Sequence, residues 1–203
     1  MTLPRLACLL LLYTLATATH AECECLWQGD FSQVQGETDL VVSASVVSAK
    51  GNSIDLAVDQ LLRGPTGLEQ TRVWLQTGDY CRPPVADFPI GTQWVMALLL
   101  IDERVPGGFN PSTPNISYGR IGDYRLSSCG GYWLRQTGNR VTGNLVKAPR
   151  WVRDPQMTPV LLDLVAGYVA GTVSREALLE ASREDPALQD LMLDTRAFLR
   201  EER

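Results

Sequence analysis

Histidine is almost missing from this chain. Of 203 residues one is a histidine, His20. Everything beyond it therefore lacks the side chain needed for Ser-His-Asp or Cys-His catalysis, or for any histidine metal site. Long hydrophobic runs are scarce as well. Leu6 to Leu15 is apolar but too short to span a bilayer, and no later stretch reaches the ~18 uninterrupted apolar residues of a membrane helix. Basic clusters are lacking: 18 Lys and Arg stand against 23 Asp and Glu, a net charge of −5. Nucleic acid and anionic membrane surfaces are accordingly not expected partners. Cysteine is sparse too, with five in all.

What is present begins with a targeting segment over residues 1–21. Arg5 is a short positive region, Leu6 to Leu15 the apolar core, and Thr19-His20-Ala21 supplies small residues at the positions a signal peptidase reads. Cleavage is expected after Ala21, with Ala18 as second choice. Cys8 lies at the start of the apolar run rather than after it, which argues against lipidation. Removing the segment leaves about 182 residues with 17 basic and 23 acidic side chains. That is enough for one domain with a sizeable core plus an appendage. The expected location is secreted or periplasmic.

Four cysteines then remain: Cys23, Cys25, Cys81 and Cys129. In an oxidising compartment they read as two disulfides. A Cys23–Cys25 bond would close a strained ring and is set aside. Two pairings stay open: 23–81 with 25–129, or 23–129 with 25–81. Either pins the start of the mature chain to two distant segments. A four-cysteine zinc site would more typically show two C-x-x-C pairs, which this chain does not have.

The chain after residue 37 is patterned for strands. Thr38 to Ala49 is rich in β-branched residues, with Leu40, Val42, Ala44 and Val46 on one face. Lys50-Gly51-Asn52 is a turn. Ser53 to Leu62 alternates, with Ile54, Leu56 and Val58 inward and Asp55 and Asp59 outward, completing a hairpin. Arg63 to Gly67 breaks it, and Arg72 to Thr77 is a third strand. Gln93 to Asp102 is apolar on both faces and is expected to be central, covered on each side. Residues 104–117 make a long loop rich in Pro and Gly, and Asn115-Ile116-Ser117 is a glycosylation sequon. Tyr118 to Ser127 and Cys129 to Arg135 give more strand material, with turns at Gly138-Asn139 and Gly143-Asn144.

Five or six short strands without alternating helices predict a small antiparallel barrel. Beyond Pro155 the pattern becomes helical. Thr158 is the expected N-cap with Pro159 at the first helical position, and Val160, Leu161, Leu164, Val165 and Tyr168 fall on one face. Gly171 ends that helix, Ser174 starts a second and Asp185-Pro186 a third. The expected role of this tail is to cover the central strand. The expected organisation is thus a signal peptide over 1–21, a barrel over 22–153 and a helical segment over 154–203, making the chain mainly β.

An exported Cys-x-Cys start is followed by the strand Leu40-Val41-Val42-Ser43-Ala44-Ser45-Val46-Val47-Ser48. A second strand then ends in Leu62-Arg63-Gly64, and a lone cysteine follows each of two later strands. Together these features resemble the netrin-like domain, and within it the N-terminal domain of the tissue inhibitors of metalloproteinases. The resemblance covers roughly Cys23 to Val146. It implies an OB-type barrel of five strands, and bonds Cys23–Cys81 and Cys25–Cys129. It also implies that Cys23, Glu24, Cys25 and Leu26, with Gly78, Asp79, Tyr80 and Cys81, form a ridge able to bind a protein partner, a metalloprotease in the inhibitors. There the α-amine and carbonyl of the first cysteine chelate the protease zinc, and the next side chain enters the specificity pocket.

This chain differs in three places. Glu22 precedes Cys23 after the favoured cleavage. Glu24 puts a carboxylate where an apolar pocket would have to desolvate it. Helices stand in place of the inhibitors' cysteine-rich second domain.

The reading is a disulfide-stapled binding module with no catalytic chemistry of its own and no cofactor. Inhibition through the Cys23–Leu26 edge is the first alternative. The second is a carboxylate-based hydrolase using Asp79, Asp102, Glu103 or Asp123. Trp74 and Trp94 are expected in the core; Trp27, Trp133 and Trp151 are candidates for an exposed stacking surface.

Overall fold

A computed structural model describes residues 23–78, 80–105, 118–147 and 157–183. The expected signal peptide, Asp79, most of the 104–117 loop with its sequon, Trp151 and the third helix lie outside these residues.

The fold is built on two long strands, β1 (Leu40–Lys50) and β2 (Ser53–Arg63). The turn between them is as tight as its residues allow: Lys50 pairs with Ser53, and Gly51 takes φ +62°, a left-handed value that glycine adopts without strain. Three register shifts along the β1–β2 ladder bend the pair. That bend lets β1 reach β4 (Gln93–Leu100) on its other edge, from Leu40↔Leu98 to Ser45↔Gln93. Strand β3 (Gln70–Trp74) pairs with β2, and the two-residue β5 (Tyr124–Arg125) bridges β3 and β4. The circuit β1-β2-β3-β5-β4 returns to β1, a closed OB-type barrel. All its pairings are antiparallel except β3–β5.

The apolar patterning explains the packing. Leu40, Val42, Ala44 and Val46 are buried, with Ile54 and Leu56 facing the same core. The opposite face of β1 is buried as well. Val41 is fully inaccessible, and the Ser43 hydroxyl donates to Gln136 Oε1 at 2.7 Å. Strand β4 is buried on both faces from Trp94 to Leu98. Its central position accounts for this: it pairs with β1, with β5 and, from Gln93 to Met96, with β6 (Trp133–Thr137). Phe88 meets Trp94 and Trp133 edge-on, with ring centroids 5.1 and 5.8 Å away. Strand β7 (Arg140–Gly143) returns from β6 through Gly138-Asn139, as that dipeptide predicts.

The Leu62-Arg63-Gly64 signature has a structural cause. The Arg63 guanidinium donates to Gln35 Oε1 at 2.7 Å, to the Thr38 carbonyl and hydroxyl at 3.0 Å each, and to the Gln35 carbonyl. It thereby clamps the chain that enters β1 against the end of β2. Gly64 follows at φ +139°, where an added Cβ would lie 2.6 Å from Leu40 Cδ1.

The expected helix start at Thr158-Pro159 is corrected. Val160–Leu161 forms β8 and pairs with Val141 and Arg140 of β7. The Thr158 hydroxyl donates to the Arg183 carbonyl instead of capping. Helix α2 begins only at Leu162 and runs to Val169, so Val160 is buried in the sheet and Leu161 is largely exposed. The later signals hold. Gly171 takes φ +77° after α2, and Ser174 Oγ caps α3 (Arg175–Ala181) by accepting from the Ala177 N–H. The tail packs on β2 and β8, and Tyr168 and Arg175 reach back to Ser32. No helix among the described residues is long and apolar enough to cross a membrane.

Candidate functional site

The segment Cys23 to Asp30 has no regular structure of its own and is held entirely from outside. Cys23 is bonded to Cys81, with Cα atoms 5.2 Å apart, and Cys25 to Cys129, at 5.8 Å. This is the pairing the resemblance implies. The four sulfurs lie within 4.8 Å of one another, but each is committed to a disulfide, so they offer no thiolate to a metal.

Backbone hydrogen bonds continue where the staples stop. The Gln28 N–H donates to the Cys129 carbonyl at 2.8 Å, and the Gly131 N–H to that of Gly29 at 2.9 Å. Phe31 and Ser32 donate to Asn144 and Leu145. Gly131 is required at this crossing, since a Cβ would stand 2.7 Å from both the Asn144 oxygen and the Phe31 nitrogen. Phe31, in the single turn α1 (Phe31–Val34), is fully buried and roots the segment in the core. Asp30 is only 3% exposed. Its carboxylate accepts from the Lys147 N–H at 2.7 Å, the Ser32 hydroxyl and Arg175 at 3.1 Å, and so joins the barrel to α3.

Ahead of this root the segment is exposed. Glu24 and Gln28 face solvent, Cys23, Cys25 and Trp27 are half-buried, and Leu26 is 85% exposed. Alongside Cys23 the first disulfide brings Cys81 and its neighbour Tyr80. Gly78 lies two residues further back at φ +51°, where a Cβ would sit 2.8 Å from the Tyr118 ring. The Ser128 N–H donates to the Cys81 carbonyl at 3.0 Å, so the two cysteine-bearing loops support each other. Of the expected ridge, the structure describes Cys23, Glu24, Cys25, Leu26, Gly78, Tyr80 and Cys81; Asp79 is outside the described residues.

Several residues around the staples carry no sequence signal. Arg82 is the chief of them, only 5% exposed. Its guanidinium lies 4.8 Å from the Tyr80 ring centroid, and one nitrogen donates to the Tyr118 carbonyl at 2.7 Å. Burial, reinforced by the like charge of Arg125, pushes it down to about 10 from the usual arginine value. A cavity of about 360 Å³ opens between the staples and the barrel, lined by Gln28, Glu37, Tyr80, Arg82, Arg125 and Tyr132 among others. The Tyr132 hydroxyl donates to Gln28 Oε1 at 2.7 Å, and burial together with Glu37 raises its pKa. A second cleft of about 560 Å³ has Trp27, Pro83, Pro84, Gly130, Trp133 and Asn144 in its walls. The buried Asn144 Oδ1 has no hydrogen-bond partner among the described residues.

Of the tryptophans, Trp151 lies outside the described residues and none of the others is exposed. Trp74 and Trp94 are in the core, and Trp27 and Trp133 are half-buried at the second cleft.

Of the candidate carboxylates, Asp79 lies outside the described residues, and Asp123 stands apart from Asp102 and Glu103. Asp123 Oδ2 accepts the Trp74 indole N–H at 2.8 Å. Asp102 and Glu103 are exposed, and line a separate cavity of about 250 Å³ with Arg82, Arg104 and Arg125. No protein-family model, curated protein or solved structure matches the chain.

Proposed function

We propose that the chain is an exported netrin-like binding module, without catalytic chemistry of its own, whose partner-facing surface is the stapled ridge of Cys23, Glu24, Cys25 and Leu26 beside Gly78, Tyr80 and Cys81. One observation carries this reading: Leu26 is 85% exposed on a segment that two disulfides and backbone hydrogen bonds tie to the barrel. A large apolar side chain displayed on a preorganised backbone is what a protein interface needs, because little ordering entropy is lost when it binds. The closed five-strand circuit and the disulfide pairing support the netrin-like resemblance. The disulfides also agree with an oxidising compartment after signal cleavage near Ala21.

The test places a photo-crosslinking side chain at position 26 of the exported protein. A discrete adduct, competed away by unlabelled protein and lost when Tyr80 is replaced by Ala, is the expected result. Absence of any competed adduct rejects the ridge.

Metalloprotease inhibition is the narrower reading of the same edge. It is decided by the intact mass of the exported chain and an inhibition assay. A mature start at Cys23 with inhibition of a zinc protease supports it. A start at Glu22 or earlier leaves the α-amine out of chelating position and rules it out.

A further inference from the structure

Arg82 poses a physical problem that the ridge does not solve. A guanidinium has five N–H donors and is always charged at neutral pH. This one is 95% buried, and among the described residues it donates one hydrogen bond, to the Tyr118 carbonyl. Tyr80 lends a ring face, the like charge of Arg125 disfavours its charge further, and Asp102 and Glu103 share the neighbouring cavity without pairing with it. No described carboxylate forms an ion pair with either arginine. Buried cations persist where something compensates them, since an unpaired one is costly.

The space for a compensating group is there. Arg82 and Arg125 both line the cavity of about 360 Å³ beneath the staples, and Tyr80 is the third residue shared between it and the neighbouring cavity of about 250 Å³. The same 360 Å³ space is bordered by hydroxyl and amide groups that can donate. Ser127 Oγ accepts from the Cys129 N–H, which leaves its own proton to donate, and Gln28 uses its Oε1 for Tyr132 and keeps its amide N–H groups. The volume falls at the lower end of small-ligand pockets, roughly 300–1,000 Å³. Glu37 also lines it, so two cations and one anion leave a single net positive charge. That balance favours a monoanion over a doubly charged phosphate.

We propose that this cavity is a carboxylate-binding site, in which Arg82 and Arg125 pair with the anion and Gln28 and Ser127 complete its hydrogen bonds. The carboxylate belongs either to a small organic acid or to the C-terminus of a peptide. The site shares Tyr80 and Cys81 with the ridge but is tested independently of it: it needs no protein partner at Leu26, and the ridge needs no anion. Guanidinium–carboxylate pairing is planar and bidentate, which explains arginine rather than lysine at both positions.

The experiment uses the ¹⁵N-labelled, disulfide-intact mature protein and follows arginine Nε–H resonances while probes are added. Four are used: sodium acetate, trialanine with a free carboxyl, the same tripeptide amidated, and inorganic phosphate. Acetate and the free tripeptide should shift Arg82 and Arg125 saturably, and the amidated peptide should not. Free tripeptide at least tenfold tighter than acetate identifies a peptide C-terminus as the source. Equal affinity identifies a small acid.

Arg125→Gln, a change at an exposed position, should weaken binding about tenfold or more. Tyr132→Phe should weaken it less. The proposal is overturned if neither carboxylate shifts the arginines, if the amidated peptide binds equally, if inorganic phosphate binds tighter than both carboxylates, or if Arg125→Gln changes nothing. A saturable response seen only after Asp79→Asn would mean that the chain supplies its own counterion, and would overturn it as well.

Discussion

The barrel and the segment in front of it are held by opposite means. Strands β1, β2 and β4 meet through side chains that are almost wholly inaccessible, from Leu40 and Val42 to Met96 and Leu98. Cys23 to Gln28 buries little, and is held instead by two disulfides and by hydrogen bonds from Gln28 to Cys129 and from Tyr132 to Gln28. The barrel is therefore stabilised by area removed from water, and the segment by constraint on its backbone. A surface fixed by constraint can leave its side chains to a partner. A surface fixed by burial cannot.

That contrast can be broken most forcefully at the staples. Replacing all four cysteines by Ser removes loop closures spanning 58 and 104 residues. Each closure is worth about 4–5 kcal/mol in the chain-entropy model, and the two overlap too heavily to add. Urea unfolding should show a loss of about that size, and the amides of residues 23–28 should lose hydrogen-exchange protection first. In the barrel, Leu98→Ala should cost about 2–5 kcal/mol by the same measurement. It should leave both disulfides oxidised, as counted by thiol labelling of the native protein.

The joint between the regions should give an intermediate effect. Asp30→Asn weakens a buried carboxylate that serves Lys147, Ser32 and Arg175. A loss of about 1–3 kcal/mol is expected. At the ridge itself Leu26→Ser should change stability by less than about 0.5 kcal/mol, because its side chain already faces water. Added unlabelled in excess, the Leu26→Ser protein should fail to compete the crosslinked adduct away.

A small effect is also expected in the pH dependence set by the β2–β3 surface. Arg72 grips Asp55 through two hydrogen bonds of 2.7 and 3.1 Å, and holds its carboxyl below the usual range. A carboxyl with a depressed folded pKa contributes stability above its unfolded pKa, and that contribution is lost as pH falls through the folded value. Melting temperature should therefore stay level from pH 7 to about 5 and drop below about 4. Asp55→Asn should reduce that slope, with less than about 1 kcal/mol at stake for so exposed a pair.

Local chemistry made much of the fold readable. Gly51-Asn52 and Gly138-Asn139 sit in turns that their own backbone preferences demand, and the doubly apolar run at Trp94 to Leu98 could only be a strand with cover on both sides. Val160-Leu161 was readable less well. Standing next to a helical pattern, these residues look like its first turn, and only their pairing with Val141 and Arg140, some twenty positions away, makes them a strand. The ridge was implied by the netrin-like resemblance rather than by the spacing of the cysteines, whose two pairings the residues alone left open. Arg82 did not follow, because burial of a charged side chain depends on where Tyr80, Tyr118 and Arg125 converge, and no spacing encodes that convergence.

The order of the cysteines along the chain gives the staples a second meaning. Cys23 and Cys25 emerge from the ribosome first, yet their partners come 58 and 104 residues later, the last of them beyond β5. The first bond can close once Cys81 has been made, but the second must wait until every strand of the barrel has been made. A chain broken off before residue 129 can never close its second bond, so the finished segment is a seal set only on a complete copy.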